Sequence, residues 1–320
     1  MDDGLKSAVS AFLTRQNLSL DPAVQYTVCI LESGRVVATG SLDGAICKCI
    51  AVDPAWQGEG LAEKVLTELR REAFARGVRH LFLYTKPQNE TLFRRLSFFP
   101  VAATAEALLM ESERGGLRRY LKSLPRHSGA VGAVVANCDP FTRGHQYLIE
   151  KASAQCDWLY VFVLSEEKAA FTAADRFNMV CLGCQSFPNV SVHPTEGYLI
   201  SSATFPTYFL KEKAKGDEIS CQLDLEIFTT RFVPALGIQK RFVGTEPLDP
   251  VTAAYNRALQ TYLPPRGVQV EEIPRLMLAN GPVSASRVRT CLAEGRWREV
   301  EALLPKTTYQ YIKTLDYIPE

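Results

Sequence analysis

Three short stretches combine residue types able to grip an anion where a helix begins. Residues 137–145 read NCDPFTRGH, directly after an apolar run at 131–136 and directly before a helical pattern at 144–154. The first turn of a helix offers N–H groups that no carbonyl satisfies, together with the positive end of the helix dipole, and so forms a seat for phosphate. Gly144 lets the backbone approach such an anion closely, and Thr142 and His145 bring side-chain donors to the same place. Residues 282–289 read PVSASRVR, where Ser284 and Ser286 suit the cap of another helix and Arg289 adds a fixed cationic fork. Residues 57–62 read QGEGLA, and Gly58 and Gly60 allow successive backbone N–H groups to curl round an anion. The shared chemistry is the handling of phosphate or pyrophosphate. Each stretch is short, and a plain capping role for His145 stays open on these residues alone.

Two different sets of elements must hold these stretches. Before residue 125, strand and helix signals are mixed: a helix at 5–15, strands at 24–31, 35–39 and 45–52 with a turn at Ser33 and Gly34, and an amphipathic helix with apolar residues at Leu61, Val65, Leu66, Leu69 and Phe74. A short strand at 81–84, a short helix at 89–96 and a strand at 98–102 complete this part. Residues 122–129 are polar, carry Pro125 and Gly129 and lack apolar periodicity, which predicts an interdomain linker. Beyond it come strands at 131–136, 158–164, 190–193, 241–244 and 268–273, separated by helical patterns at 144–154, 173–187 and 250–262, with a last helical region from Ser284. Unbroken apolar strands alternating with helices predict a parallel sheet covered on both faces. The expected domains are therefore 1–125 and 126–320.

With 320 residues, 47% hydrophobic and 22% charged, the chain has the balance of a folded protein of about two domains. Its net charge of +1 lacks the positive excess of a nucleic-acid binder. No apolar run is long enough to span a bilayer, and the start, Met1-Asp2-Asp3, is acidic where a signal peptide is basic. The expectation is a soluble cytoplasmic protein with no nucleic-acid or membrane partner. Nine cysteines lie scattered in apolar stretches; Cys181 and Cys184 form a lone C-x-x-C, which reads as buried reduced thiols rather than a metal or redox site.

On these motifs the chain resembles known families. The 142–145 stretch resembles the T/H-x-G-H signature of nucleotidyltransferases, with Thr142 in the place of the first His, and 282–289 is similar to that family's I-S-S-T-x-I-R segment. Residues 57–62 resemble the Q/R-x-x-G-x-G/A pyrophosphate loop of GCN5-related acetyltransferases. Together with residues 198–211 and 242–247, the whole chain resembles the citrate lyase ligase family. The fold this implies is α/β: an acetyltransferase-like mixed α+β domain, then a Rossmann-like doubly wound parallel-sheet nucleotidyltransferase domain.

The resemblance implies ATP, with Mg²⁺ bound on its phosphates, and acetate as substrates. It implies as partner the acyl carrier subunit of citrate lyase, whose coenzyme-A-like prosthetic group bears the thiol to be acetylated. It assigns catalysis to His145 and Thr142 and implies further ATP contacts at Asn137, Phe141, Gly144, Gly244, Glu246, Ser284, Ser286 and Arg289. Glu246 is a candidate for the ribose or Mg²⁺, and no metal ligand is assigned. Ser201, Ser202 and Lys211 are candidates for a carboxylate or phosphate; Gln57, Gly58, Gly60, Ala62 and Asn89 for the pantetheine and pyrophosphate arm. An adenylyltransferase acting on a phosphomonoester, such as nicotinamide mononucleotide or phosphopantetheine, and a nucleotide-sensing module without catalysis are the alternatives.

Overall fold

The computed structural model describes residues 3–166, 169–199, 205–210, 212–247, 249–279 and 281–315. It divides into two compact units: Met1–Tyr120 with Phe205–Glu226, and Leu121–Thr204 with Ile227–Glu320.

In the first unit, α1 (Asp3–Arg15) precedes the strands β1 (Tyr26–Glu32), β2 (Arg35–Asp43) and β3 (Ile46–Val52), then α2 (Leu61–Ala75), β4 (Phe82–Thr85), α3 (Glu90–Arg95), β5 (Phe99–Ala103) and β6 (Leu108–Glu111). The helix α4 (Gly116–Ser123) follows. The sheet order is β1-β2-β3-β4-β6-β5, antiparallel except for β3 and β4. That parallel pair is short, Ile46 opposite Phe82 and Cys47 opposite Leu83. α2 buries Leu61, Val65, Leu66 and Leu69 as its spacing predicts, with Ala73 beside them, whereas Phe74, expected with them, is exposed because it falls one residue past that face. In β3, alternation does not separate inside from outside: Cys47, Lys48 and Cys49 are all buried, and the Lys48 ammonium is matched by Asp43 at 2.6 Å and Asp21 at 2.9 Å.

In the second unit, β7 (Val131–Ala136), α5 (Arg143–Ser153), β8 (Trp158–Val163), α6 (Ala173–Cys184) and β9 (Val190–Pro194) alternate. α7 (Gly216–Ile227) lies almost wholly in the first unit; the chain then continues through α8 (Val233–Leu236), β10 (Lys240–Gly244), α9 (Pro250–Tyr262) and β11 (Gln269–Ile273). A small hairpin, β12 (Met277–Leu278) with β13 (Gly281–Pro282), leads into α10 (Ala285–Ala293), α11 (Trp297–Leu303) and α12 (Lys306–Ile312). The main sheet is wholly parallel in the order β11-β10-β7-β8-β9. The order reverses between β7 and β10, and in such sheets ligands bind outside the carboxyl ends of the strands at that reversal. β8 is buried along nearly its whole length, as a strand covered on both faces must be.

One boundary differs from the expectation. A single cut at 125 would leave residues 205–226 in the second domain, but the chain returns to the first unit there. The reason is burial of aromatics. Phe205, Tyr208, Phe209 and Leu210 are buried; Phe205 sits edge-on to Tyr84 with ring centroids 5.5 Å apart, and the Tyr208 hydroxyl donates to the Tyr84 carbonyl at 3.1 Å. The spacing of Phe205, Tyr208 and Phe209 in the sequence suits at least two core aromatics on a helix; all three are core, but they do not form a helix. The expected linker is shortened too, because α4 runs to Ser123.

No helix among the described residues is long and apolar enough to cross a membrane. All nine cysteines are free. Burial pushes the Cys184 thiol up to about 12 and raises that of Cys181, so the C-x-x-C pair on α6 lacks the thiolate character of a redox site.

Candidate active site

Thr142 caps α5 with an extended backbone. Its hydroxyl accepts the His145 N–H at 3.3 Å, while His145 Nδ1 accepts the Thr142 N–H at 3.0 Å and lies 3.1 Å from the Thr142 hydroxyl. This is a capping box with histidine in the place usually taken by Glu or Gln. A ring nitrogen that accepts from a backbone N–H carries no proton, so the neutral ring keeps its hydrogen on Nε2. Burial, aided by the nearby Arg275 charge and opposed by Asp139, lowers the His145 pKa from 6.5 to about 4. At neutral pH the ring is thus an uncharged donor held in one tautomer. Beneath it lies Phe141, stacked at 5.9 Å between centroids.

The turn itself is tied down by charge. The Asp139 carboxylate accepts from the Phe171 N–H at 2.9 Å and the Ala170 N–H at 3.1 Å, and Arg289 reaches both the Asp139 carbonyl and, at 3.4 Å, its carboxylate. Arg176, fully buried on α6, donates to the carbonyls of Leu164 and Asn137 at 2.9 Å and of Phe171 at 3.2 Å, and also to the Asn137 side chain and the Glu166 carbonyl. It satisfies carbonyls at the carboxyl ends of β7 and β8 that the ladder leaves over.

The second helix start meets the first. Ser284 caps α10 by accepting the Arg287 N–H at 3.2 Å, and Arg289 donates to Ser286 at 3.2 Å. A Cβ on Gly144 would stand 3.3 Å from the Val283 carbonyl oxygen and 3.6 Å from its Cβ, so the two turns touch at a residue that must be small. Gly144 against Val283 and Arg289 upon Asp139 place both corners at one crevice.

The third side is the carboxyl end of β10. The Gly244 carbonyl accepts from Asn256 at 2.9 Å, and a side chain at Gly244 would meet nothing within 4 Å. Glu246 forms a two-pronged ion pair with Arg275, at 3.0 and 2.6 Å.

Phe141 is wholly buried against Gly183, where a Cβ would come within 2.2 Å of its ring, and it stacks with the His145 ring. The Thr142 hydroxyl is likewise buried and spent on the capping box, so it holds His145. Glu246 is engaged by Arg275, and Asp139 by two backbone amides and Arg289. Among the described residues no group of three or more His, Cys, Asp or Glu is arranged to hold a metal ion. Asn137 is exposed, and its side-chain oxygen accepts from Arg176. Ser201, Ser202 and Lys211 lie outside the described residues. Sequence reasoning missed Asp139, Arg176 and Arg275. Arg176 did leave a signal: it shares the i, i+3, i+4, i+7 face of α6 with buried Met179, Val180 and Gly183.

In the first unit, Gly58 and Gly60 have φ of +93° and +69°, and Gly60 is the left-handed cap of α2. Gln57 and Gly60 are exposed, and Ala62 is in the first turn of that helix, whose leading N–H groups lack helical partners. Asn89 donates to the Thr85 hydroxyl at 2.9 Å, which joins the end of β4 to the start of α3.

Residues 131–312 match the family described as the citrate lyase ligase C-terminal domain, and residues 6–98 match the acetyltransferase (GNAT) family. The chain is 42% identical to a [citrate [pro-3S]-lyase] ligase of Klebsiella pneumoniae over 98% of its own length and 94% of that protein's. The chain belongs to the citrate lyase ligase family. The Escherichia coli (strain K12) ligase of the same name is 39% identical over 96% of this chain and 90% of that one. A phosphopantetheine adenylyltransferase of Streptococcus uberis is similar over a shorter stretch, 27% identical across 34% of this chain and 69% of its own. In this citrate lyase ligase family member the ligase C-terminal match thus falls mostly in the second unit and the acetyltransferase match in the first.

Proposed function

We propose that this protein activates citrate lyase by an ATP-dependent, AMP-forming acetylation of the thiol on the lyase's acyl carrier subunit. The observation that carries the reading is the crevice where the α5 and α10 starts touch, with a neutral Nε2–H donor on one and a cationic fork on the other.

ATP lies with its phosphates across the two helix starts. An acetate oxygen attacks the α-phosphorus in line, the bond to the β-phosphate oxygen breaks, and pyrophosphate leaves with the electron pair. Charge growing on the phosphoryl oxygens is met by His145, the α5 and α10 amides, Ser286 and Arg289, donors already fixed before the reaction. The carboxylates of Asp139 and Glu246 are already paired, so Mg²⁺ would be brought in by ATP itself and would neutralise charge on its phosphates. In the second step the carrier thiolate attacks the acyl carbon of acetyl-adenylate, a thioester forms and AMP departs. The loop at Gln57, Gly58 and Gly60 holds the pyrophosphate of the carrier's prosthetic group and raises the thiol's effective concentration.

Pyrophosphate release, measured with purified carrier against a panel of small acids and phosphomonoesters, tests this. Release with acetate, coupled to carrier acetylation, is expected. Release only with a phosphomonoester would make the protein an adenylyltransferase, and tight ATP binding without release would make it a sensor.

A further inference from the structure

His145, the donor closest to the proposed chemistry, is uncharged at neutral pH. The Arg289 fork is already directed at Asp139 and Ser286. An oxyanion beside His145 would therefore be better matched by a second cation than by Arg289 alone.

Arg275 meets that need by its place in the fold. It lies two residues beyond β11, and its N–H is held by the Thr245 hydroxyl at 3.0 Å, just past β10. The next residue, Leu276, accepts the Val283 N–H at 3.1 Å, closing the hairpin that leads to α10. Val283 is the residue packed on Gly144, next to His145. One continuous path of hydrogen bonds and contacts thus runs from Arg275 to the His145 turn. The guanidinium has five N–H donors, and the end-on pair with Glu246 uses two. The remaining three have no partner among the described residues. The Arg275 side chain stays 22% exposed while Glu246 is 9% exposed, so the guanidinium keeps more contact with solvent than the carboxylate that holds it.

We infer that Arg275 is a catalytic residue of the adenylation step, donating to a non-bridging oxygen of the α-phosphoryl group, and that Glu246 is the positioning residue that aims it. This rests on the ATP-dependent reading above. Glu246, on this account, touches neither ribose nor magnesium.

The test uses the full-length protein in acetate-dependent ATP–pyrophosphate exchange, with the His145 ring followed by NMR. Arg275→Ala is expected to lower kcat about 10²-fold or more with the KM for acetate within threefold of wild type. Arg275→Lys, which keeps charge but loses the fork, should fall between the two and covers the case in which the alanine variant does not fold. Glu246→Gln should reduce kcat about tenfold without changing the magnesium dependence, because it loosens the aim and leaves the cation. Removing the Arg275 charge should also move the His145 titration upward, a readout independent of turnover. Exchange by both Arg275 variants within threefold of wild type would overturn the inference. So would an acetate KM raised more than tenfold at unchanged kcat, or a magnesium requirement shifted by Glu246→Gln. A wild-type protein lacking acetate-dependent exchange would instead sink the ligase reading itself, and this inference with it.

Discussion

Gly144 and Gly60 both stand at the start of the first helix after an apolar strand, each in its own unit, yet an added methyl group would meet different fates. At Gly144 it would press on the Val283 carbonyl at 3.3 Å, although the backbone there is ordinary. At Gly60 it would meet open space, but φ is +69°, where only glycine rests without strain. The first glycine lets two pieces of protein come together; the second lets the chain bend. The difference extends to the donors. Around Gly144 are a histidine locked in one tautomer, two arginines and buried carboxylates that orient them. Around Gly60 there are chiefly backbone amides. Side-chain charge and rigidity are what bond-making requires, whereas backbone amides suffice to hold a ligand that does not itself react.

The sharpest way to break this contrast is His145→Ala. It should lose about 10²–10³-fold in acetate-dependent ATP–pyrophosphate exchange, the usual loss on removing one preorganised donor. Exchange within a few-fold of wild type would deny the second unit its chemistry. Next in size is Gly60→Asp, which adds left-handed strain and a negative charge where an anion is to bind. Carrier acetylation should fall about tenfold or more while exchange stays within twofold; equal loss of both activities would mean that the two turns do not divide the work. The finest test is the His145 titration. Its pKa is about 4 in the folded protein against 6.5 ordinarily, so the unfolded chain takes up the proton first on acidification. The stability tied to this residue is complete above pH 6.5, declines between 6.5 and about 4, and is gone below that range. An NMR midpoint near 6.5 would mean that the ring is solvated and not held as the structure holds it.

Local punctuation made much of this legible. Apolar runs ended by Asn, Asp, Pro and Gly announced the strand-to-helix turns, and the strands of the parallel sheet fell where continuous hydrophobicity lay, because each is packed on both faces. What escaped depended on partners distant in the chain. β6 lies in a short apolar stretch, Leu108–Glu111, that acquires its identity by pairing with both β4 and β5. Glu246 is an ordinary loop carboxylate until Arg275, 29 residues on, is brought against it. Phe205, Tyr208 and Phe209 declared that they would be buried, but no periodicity could say in which unit. Thr142 is a departure from the family pattern that the structure explains in part, since a hydroxyl that accepts one N–H and faces Nδ1 is suited to steering a single imidazole.

The excursion of residues 205–226 into the first unit makes the polypeptide pass between the units three times. Truncation at the apparent linker would therefore not release a self-sufficient amino-terminal fragment, because the Tyr84 carbonyl would lose the hydroxyl that caps it and the Phe205 ring beside it. The remaining fragment would carry those same aromatics uncovered in the middle of its length. Genetic separation of the two units is thus obstructed by the thread itself, and the two halves are inherited as one object.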